Sequence, residues 1–303
     1  MDTKRLQHFL AVFETGSFCQ AATTVHVTQP ALTKSIKLLE DRLGVKLFDR
    51  TPLGVSPTPY GEALAEHAKV IRAEIISAKQ QLSMLRGATG GHVVVGIGPS
   101  IADDLMPQAT ARLYQWKPGI RLTVVEGLFE DIIPALRRGE LDLAVTVWPC
   151  CKDPDLTAEV LFRDQVAILS GADHPLAARA SVEVAELMEY PWALPAKKVI
   201  WRHYLDQIFA SAGFSPPEAA VTSTSAVFLR SLILQGSFLG FLPHRLMITD
   251  EKAGRIVRLN VPESTLDIDV TLTYRQRTAI SPAARALITI LHDIVSSNKF
   301  NTI

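Results

Sequence analysis

The sequence predicts a small helical domain with a β-hairpin, then one long helix, then a larger α/β domain. Three features predict this: two short helical segments joined by a tight turn at 17–40, a proline-free run at 60–86 with a sevenfold apolar repeat, and alternating strands and helices from residue 92 onward. With 303 residues, 48 % of them hydrophobic and 20 % charged, the chain is long enough for two or three hydrophobic cores.

A first helix is expected over Thr3–Thr15, and residues 17–40 then predict two short helices that cross at a tight turn. Ser17 is placed to cap the first of these through its hydroxyl, Thr28 is placed to cap the second, and Pro30 falls in the second helix's first turn, where a missing N–H costs nothing. The second helix has apolar residues at core-facing spacing, namely Leu32, Ile36, Leu39 and Leu43.

The opposite side of the second helix is short, polar and basic, with Gln29, Thr33, Lys34 and Lys37. Such a surface suits a helix that lies in a DNA major groove, and a solvated amphipathic helix is the alternative. The following segment has two short predicted strands, at 45–48 and 55–58, around a turn-rich loop. This pattern predicts a wing hairpin with Arg50 as a candidate for phosphate or minor-groove contact.

Residues 4–61 resemble the winged helix-turn-helix of LysR-type transcriptional regulators. The resemblance rests on residue types at fixed spacing, namely Leu6, Phe9, Gly16-Ser17-Phe18, Ala21-Ala22, Val27-Thr28-Gln29-Pro30-Ala31-Leu32, Ile36-Lys37, Leu39-Glu40, Leu43-Gly44, Leu47-Phe48, Arg50, Thr58 and Gly61. It implies contacts to base edges from Gln29, Thr33 and Lys34, and to phosphates from Ser17, Lys37 and Arg50. Thr28 and Pro30 belong to the same DNA-binding set, whereas Leu53 stands at the wing tip where the family often has a basic residue.

The run from 60 to 86 carries a heptad seam, which consists of Leu64, Ala68, Ile71, Ile75, Ala78, Leu82 and Leu85. This spacing is typical of a helix that pairs with a second copy, and such a helix would be about 40 Å long. A helix packed on its own domain is the alternative. The resemblance also implies a linker helix that pairs two DNA-binding domains, and the glycines of 87–91 predict a hinge after it.

From residue 92 onward, strands alternate with helices, which predicts a parallel sheet covered on both faces. Strands are expected at 93–98, 120–126, 141–148, 166–169, 238–242 and 266–274, and helices among others at 101–114 and 201–212. Crossovers near 162–165 and 265–269 are expected to hinge two lobes around a cleft. The segments 139–144 and 173–177 are typical of LysR-type effector domains, and the resemblance implies a periplasmic-binding-protein-like architecture of two α/β subdomains. The predicted divisions are a DNA-binding domain at 1–59, a linker helix at 60–87, a hinge at 88–91, and an effector domain with subdomain I at 92–163 and 268–303 and subdomain II at 164–267.

Ligands of such folds bind beyond the carboxyl ends of the strands, next to helix N-termini. Ser100 and Ser225 fall where the family's pocket hydroxyls lie, although each serine also fits a simple helix cap, and Ile101 belongs to the same expected effector-binding set. Aromatic residues near the ends of predicted strands, Phe129 and Trp148, and one at the start of a predicted helix, Trp201, predict a pocket for an aromatic or other organic acid, with Arg202 as its counter-charge. Core packing is the alternative for the aromatic residues.

Charge and composition narrow the class of protein. Residues 1–91 hold 11 Lys and Arg against 8 Asp and Glu, a balance of +3 that the remaining chain offsets with −3. Three cysteines give no disulfide framework, which favours a reducing cytoplasm, and no apolar run is long enough for a membrane span. The pair Cys150-Cys151 is a weaker candidate for redox sensing or soft-metal binding.

The sequence therefore predicts a LysR-type transcriptional regulator that is not an enzyme and needs no cofactor. The expected partners are double-stranded promoter DNA, a small-molecule effector, RNA polymerase, and further copies of the chain in a homodimer or homotetramer, with no membrane. Two other classes stay open. One is a solute-binding protein, and the other is an enzyme acting on a small acid, for which the sequence shows no catalytic constellation.

Overall fold

The N-terminal domain of the computed structural model contains helices α1 Thr3–Thr15, α2 Phe18–Thr24 and α3 Gln29–Leu43, the hairpin strands β1 Phe48–Thr51 and β2 Gly54–Pro57, and the start of helix α4 Pro59–Leu85. The structure describes residues 2–51, 54–85, 90–147, 153–197, 199–276 and 279–299. Helices α1 and α3 end at Gly16 and Gly44, both in the left-handed conformation that glycine adopts at no steric cost.

The core of this domain holds most of the residues that the helical spacing predicted. Phe9, Leu32 and Leu39 are almost fully buried, together with Leu47 from the loop before the hairpin. The prediction for Leu43 is wrong, because this side chain is 42 % exposed. It lies in the last turn of α3, beyond the helices that cover the earlier turns.

The hairpin is fastened to α3 by a buried carboxylate. Glu40 is 8 % exposed, and its Oε1 accepts a 2.9 Å hydrogen bond from the Leu47 amide while Lys46 Nζ lies 2.9 Å from its Oε2. At the start of α4, a Cβ on Gly61 would lie 2.2 Å from the Leu47 carbonyl oxygen. Only glycine allows the helix to approach this loop so closely. These contacts give a physical reason for Glu40 and Gly61, two of the residues on which the family resemblance rests.

Helix α4 confirms the predicted long helix, and the residues of its apolar seam lie in two different environments. Leu64, Ala68 and Ile71 pack into the core of the chain's own N-terminal domain. Further along the seam, Ala78 is exposed and Leu82 is 59 % exposed. The first part of the seam therefore packs within the domain, as the alternative interpretation expected, and the later part presents apolar side chains to solvent.

The C-terminal domain begins with one α/β lobe. Its strands are β3 Gly91–Ile97, β4 Ile120–Glu126 and β5 Leu143–Val147, and its helices are α5 Pro99–Ala102, α6 Leu105–Trp116 and α7 Phe129–Arg137. The chain returns to this lobe through β11 Leu266–Arg275, helix α12 Pro282–Ile294 and a π-helical turn Val295–Lys299. The single helix predicted from 101 to 114 is instead two helices, since the path turns at Asp103 and Asp104.

The second lobe follows a long strand, β6 Leu156–Gly171, of which the sequence predicted only the end. Its further elements are α8 Val184–Leu187, β7 Trp192–Pro195, α9 Ile200–Ser211, β8 Ala219–Ser223, α10 Ala226–Ile233, β9 Leu239–Pro243, a 3₁₀ turn His244–Met247, α11 Ile248–Lys252 and β10 Ile256–Arg258. Strands β7 and β8 were not predicted, because each is short and lies among turn residues.

The described strands of the C-terminal domain form one sheet in the order β4-β3-β5-β11-β6-β9-β7-β8, with β10 paired to β6. The expected parallel sheet is wrong in part. The pairs β3 with β4 and β7 with β8, each within one lobe, are parallel. By contrast, β11 is antiparallel to both β5 and β6, and β6 is antiparallel to β9. Strand β6 pairs with β11 along its first part and with β9 and β10 along its second, so it carries the chain between lobes.

Candidate functional site

Helix α3 presents the polar face that the sequence predicted for DNA contact. Gln29, Pro30, Lys34 and Lys37 are exposed and Thr33 is half-buried. The opposite face is buried through Leu32, Ile36 and Leu39, which are at most 2 % exposed. A rigid helix with one face fixed in the core and short polar side chains on the other is the geometry that major-groove recognition requires.

The two predicted helix caps differ in the structure. Ser17 Oγ accepts a hydrogen bond from the Gln20 amide at 3.4 Å at the start of α2, as expected. Thr28 occupies the cap position of α3, but its side chain makes no capping hydrogen bond, and it is exposed. The Thr28 hydroxyl is thus available to an external acceptor such as a phosphate oxygen. Arg50 lies in β1 opposite Val55, and its side chain is outside the described part of the chain.

A cleft of about 680 Å³, including space open to solvent, lies between the two lobes at the carboxyl ends of their strands. Both lobes line it with mainly apolar groups: Gly98, Pro99, Ser100, Gly127, Leu128, Phe129, Glu130, Thr146 and Val147 from the first lobe, and Pro195, Val199, Trp201, Ser223, Thr224, Ala226, Leu229, Leu242, Pro243 and Leu246 from the second. This is the place where open α/β sheets bind ligands.

Within the described part of the chain, three of the predicted pocket residues line the cleft, namely Ser100, Phe129 and Trp201. Ser100 is 5 % exposed at the start of α5. The indole N–H of Trp201 is buried and has no hydrogen-bond partner among the described residues. Buried donors are rarely left unpaired, so this N–H marks a place for an acceptor from a ligand or from water.

The expected counter-charge at Arg202 is wrong. Arg202 is 4 % exposed, is not among the residues that line the cleft, and donates from Nη2 to the Pro217 carbonyl oxygen at 3.2 Å. Its guanidinium lies 3.6 Å from Asp206, one turn along α9. Burial lowers the pKa of Arg202, against the opposing effect of Asp206. Successive helix residues point about 100° apart, which is why Trp201 faces the cleft and Arg202 does not.

The remaining predicted pocket residues are placed elsewhere. Ile101 is fully buried in the core of the first lobe and does not line the cleft. Ser225 caps α10, where its Oγ accepts from the Phe228 amide at 3.2 Å, while its neighbours on both sides line the cleft. Trp148, Cys150 and Cys151 lie outside the described residues.

The structure adds polar lining groups that the sequence analysis missed. Thr146 is a polar residue within the apolar strand β5, which was the available signal, whereas Ser223 ends the unpredicted strand β8 and Thr224 follows it. Glu130 lies in the first turn of α7, where a carboxylate interacts favourably with the positive end of the helix dipole. Among the described lining residues Glu130 carries the only ionisable side chain, and no Lys, Arg or His is present.

Two ion pairs cross from one lobe to the other next to the cleft. Asp104 Oδ2 lies 3.0 Å from Arg245 Nη1, and Asp103 Oδ2 lies 3.6 Å from Arg230 Nη1. Asp103 and Asp104 follow α5, whose first residues line the cleft. The relative position of the lobes is therefore linked to the helix that carries Ser100.

No helix among the described residues is both long and apolar enough to cross a membrane. The same part of the chain contains no group of three or more His, Cys, Asp or Glu side chains placed to hold a metal ion.

A winged helix-turn-helix joined by a long helix to a two-lobed domain with a ligand-sized cleft defines a class of ligand-responsive DNA-binding regulators. Family models agree with this class. Residues 3–62 match the bacterial regulatory helix-turn-helix protein, lysR family, and residues 86–295 match the LysR substrate binding domain. The chain belongs to the LysR family of transcriptional regulators, and it has that family's effector-binding domain.

Individual relatives support the assignment over nearly the whole length. The chain is 29 % identical to the SDS degradation transcriptional activation protein of a Pseudomonas species, with 94 % of each chain covered. It is 28 % identical to the transcriptional regulator PcaQ of Agrobacterium fabrum over 91 % of this chain and 89 % of the relative. Among solved structures, a full-length OxyR variant from Pseudomonas aeruginosa matches with a TM-score of 0.71 and 25 % identity, covering 99 % of this chain and 96 % of that one.

Proposed function

We propose that this protein reads promoter DNA through α3 and the wing, and that an apolar small molecule in the inter-lobe cleft changes this binding. The observation that carries the proposal is the cleft itself, because both lobes contribute lining residues at the carboxyl ends of their strands. A ligand that contacts both lobes binds one arrangement of the lobes more tightly than another. This difference in affinity shifts the populations of the two arrangements.

The DNA-binding part of the proposal rests on the exposed face of α3. Gln29, Thr33 and Lys34 contact base edges, whereas Lys37, Ser17 and Arg50 contact phosphates, with Thr28 and Pro30 at the helix start beside the backbone. Short polar and basic side chains on a fixed helix suit these roles, and the phosphate contacts supply most of the affinity.

Assembly follows from the exposed apolar part of α4. Leu82, a residue of the heptad seam, is 59 % exposed on a helix that continues past the chain's own core, and Ala78 of the same seam is also exposed. Pairing of two such helices covers these side chains and places two α3 helices on one duplex. We propose a dimer on this ground, and the resemblance to the family adds a tetramer and contact to RNA polymerase in the cytoplasm.

The lining of the cleft suggests an uncharged ligand. Phe129, Trp201, Leu229 and Leu246 provide an apolar surface, and the unpaired Trp201 N–H suits a carbonyl-type acceptor. A carboxylate ligand would find no Lys, Arg or His among the described lining residues, and Glu130 would repel it. An aromatic compound with an uncharged acceptor therefore fits better than the aromatic acid that the sequence predicted.

A footprint on the DNA just upstream of the protein's own gene tests the DNA-binding proposal. The wild type should protect two half-sites in the presence of competitor DNA, and the double variant Lys34→Ala/Lys37→Ala should lose this protection. Lys79→Ala, which removes an exposed lysine from α4, serves as the matched control and should protect the same region. Equal protection by the double variant would rule out α3 as the reading helix.

The ligand proposal is tested with a panel of aromatic amides and the corresponding acids, compared by thermal shift of the full chain. Amides should stabilise the protein more than their acids, and Phe129→Ala should abolish the shift. Phe214→Ala is the control, because Phe214 is an aromatic residue outside the cleft lining. Stronger stabilisation by the acids, or none by any compound, would reject an uncharged aromatic ligand.

A further inference from the structure

Three parts of the chain meet at the side chain of Lys69 on α4. Its Nζ atom lies 2.8 Å from Oε1 of Glu140, in the turn that follows α7. The same Nζ atom lies 5.8 Å from the centre of the Phe13 ring on α1. The Lys69 side chain is only 16 % exposed, so water screens these interactions less than it would at an open surface. One lysine of the long helix thus contacts both the effector domain and the DNA-binding domain.

The turn after α7 approaches α4 too closely for a side chain. Gly139 has a φ of 72°, and a Cβ at this position would lie 2.3 Å from the Cβ of Ala73. Real side-chain atoms are never this close, so Gly139 is required both by its conformation and by its neighbour. The helix and the turn are packed against each other, and a displacement of one must move the other.

The same turn is held firmly to the effector domain. Glu140 accepts two hydrogen bonds of 3.0 Å from Arg138, and it also binds Lys69. Burial opposes ionisation of Glu140, but hydrogen bonds from Arg138 and Lys69 outweigh it and lower the pKa of this carboxyl. Arg275, at the end of β11, donates from Nη1 to the Leu136 carbonyl oxygen at 2.8 Å and to that of Leu141 at 2.7 Å.

The opposite end of α7 reaches the ligand cleft. Phe129 and Glu130, in the first turn, line the cleft between the lobes. The helix has nine residues and is about 13 Å long. Its other face is fixed to the sheet by Ile132, Ile133 and Leu136, which are at most 3 % exposed. Pro134 lies inside this helix and removes one of its backbone hydrogen bonds. Movement is therefore passed along α7 through the packing of these buried side chains against the sheet.

On the other side of the junction, α4 is tied to the DNA-binding domain. Arg72 donates to both oxygens of Glu14 on α1, at 2.8 and 3.2 Å. Leu64, Ala68 and Ile71 of α4 pack in the same core as α1. A displacement of α4 at Lys69 and Ala73 is therefore passed to α1, against which the recognition helix α3 packs.

We propose that α7 is the direct mechanical link between the ligand cleft and the DNA-binding domain, and that Lys69 is the positioning residue that couples them through Glu140 and Phe13. This inference rests on the proposed function, since it states how ligand occupancy reaches α3. Coupling between two sites is reciprocal, so DNA bound at α3 must alter the cleft end of α7. This reciprocity allows a test that needs no identified ligand.

The experiment is hydrogen exchange of the full chain, free and bound to the duplex from the upstream region of its own gene, with a scrambled duplex as reference. Selective DNA binding should slow amide exchange in the segment 128–137 about fivefold or more, since allosteric couplings are typically of this size. In Lys69→Gln this change at α7 should disappear while the protein still binds the duplex selectively. Lys79→Gln, on the same helix, should behave as the wild type.

A second pair of variants separates the packing contact from backbone strain. Gly139→Ala places a Cβ against Ala73 and should also remove the response of α7 to DNA. Gly213→Ala is the matched control, because Gly213 has a φ of 83° with no atom within 4 Å of an added Cβ. This control carries the same backbone strain without the clash and should keep the response.

The outcomes separate the two proposals. Selective DNA binding without any exchange change at 128–137, or an unchanged response in Lys69→Gln, would overturn the link through α7 and leave the regulator intact. Absence of selective DNA binding in the wild type would overturn the proposed function and this inference with it.

Discussion

The guanidinium of Arg245 lies 3.0 Å from Asp104 and joins the two lobes of the effector domain through a largely buried contact. Arg245 is 3 % exposed and also stacks over the Phe162 ring at 4.7 Å. Burial lowers the pKa of this arginine, and the nearby carboxylates of Asp164 and Asp104 act in the opposite direction. Removing the partner of such a buried charge destabilises the fold, because the charge is then left buried and uncompensated.

Asp104→Asn should therefore destabilise the effector domain. We expect a loss of about 1–2 kcal/mol, less than for a fully buried pair, because Asp104 is 30 % exposed and Asp164 still faces the arginine. Urea unfolding followed by fluorescence measures the change. Asp103→Asn is the control, since the Asp103 side chain is 49 % exposed and lies 3.6 Å from Arg230. Equal losses in the two variants would show that burial of the Asp104–Arg245 ion pair does not increase its contribution to the free energy of unfolding.

The wing should depend on the carboxylate of Glu40. Glu40→Ala leaves the Leu47 amide without its acceptor in a buried position, and the expected cost is about 1–3 kcal/mol. Asp41→Ala, at the exposed neighbouring position, should change stability little. The readout is the thermal unfolding of both variants together with their affinity for the upstream duplex. A Glu40 variant as stable as the Asp41 variant would contradict the anchoring role.

Two lysines on α3 should respond differently to DNA sequence. Lys34→Ala should cost about 1–3 kcal/mol on the specific site and relax the preference at one base pair. Lys37→Ala should weaken binding evenly on all sequences and reduce the slope of log affinity against log salt by about 1. Titrations on specific and scrambled duplexes at several salt concentrations distinguish the two. An even loss for Lys34→Ala would make it a phosphate contact.

Stability of the effector domain should fall as the pH decreases below about 6.5 because of His174. This ring is 3 % exposed, its Nδ1 accepts from the Leu176 amide at 3.2 Å, and burial lowers its pKa. At acidic pH the unfolded chain binds a proton that the folded ring does not, so the free energy of unfolding decreases. In His174→Gln this part of the pH dependence should be absent.

The measurement is urea unfolding between pH 5.5 and 7.5. His67→Gln removes an exposed histidine from α4 and should keep the pH dependence of the wild type. If the His174 variant kept the same slope, the buried ring would not be its source.

Local sequence patterns predicted most of the helices and the DNA-reading face. The spacing of Leu32, Ile36 and Leu39 fixed the buried side of α3, and with it the exposed side, because a helix repeats every 3.6 residues. Ser17 as a helix cap, and the long helix after the wing, follow from the same kind of neighbouring residues. These features depend on groups within one or two turns of each other.

The ligand cleft was predicted only in outline. Ser100 and Phe129 were found because they follow predicted strands, and Trp201 because it begins a predicted helix, whereas Thr146 lies within a strand and was missed. The rotation of one residue along α9 decides that Trp201 faces the cleft and that Arg202 is buried against Pro217. Sequence alone predicted both side chains in the cleft, because it does not reveal which face of α9 packs on the sheet.

The sequence by itself therefore determined the family, the order of the elements and the polar face of α3, since each follows from residues close together in the chain. Only the tertiary structure decided which side chains meet across the fold. Lys69 with Glu140 and Asp104 with Arg245 are separated by 71 and 141 residues along the chain. Contacts over such separations are set by the packing of whole helices and strands, which no local pattern encodes.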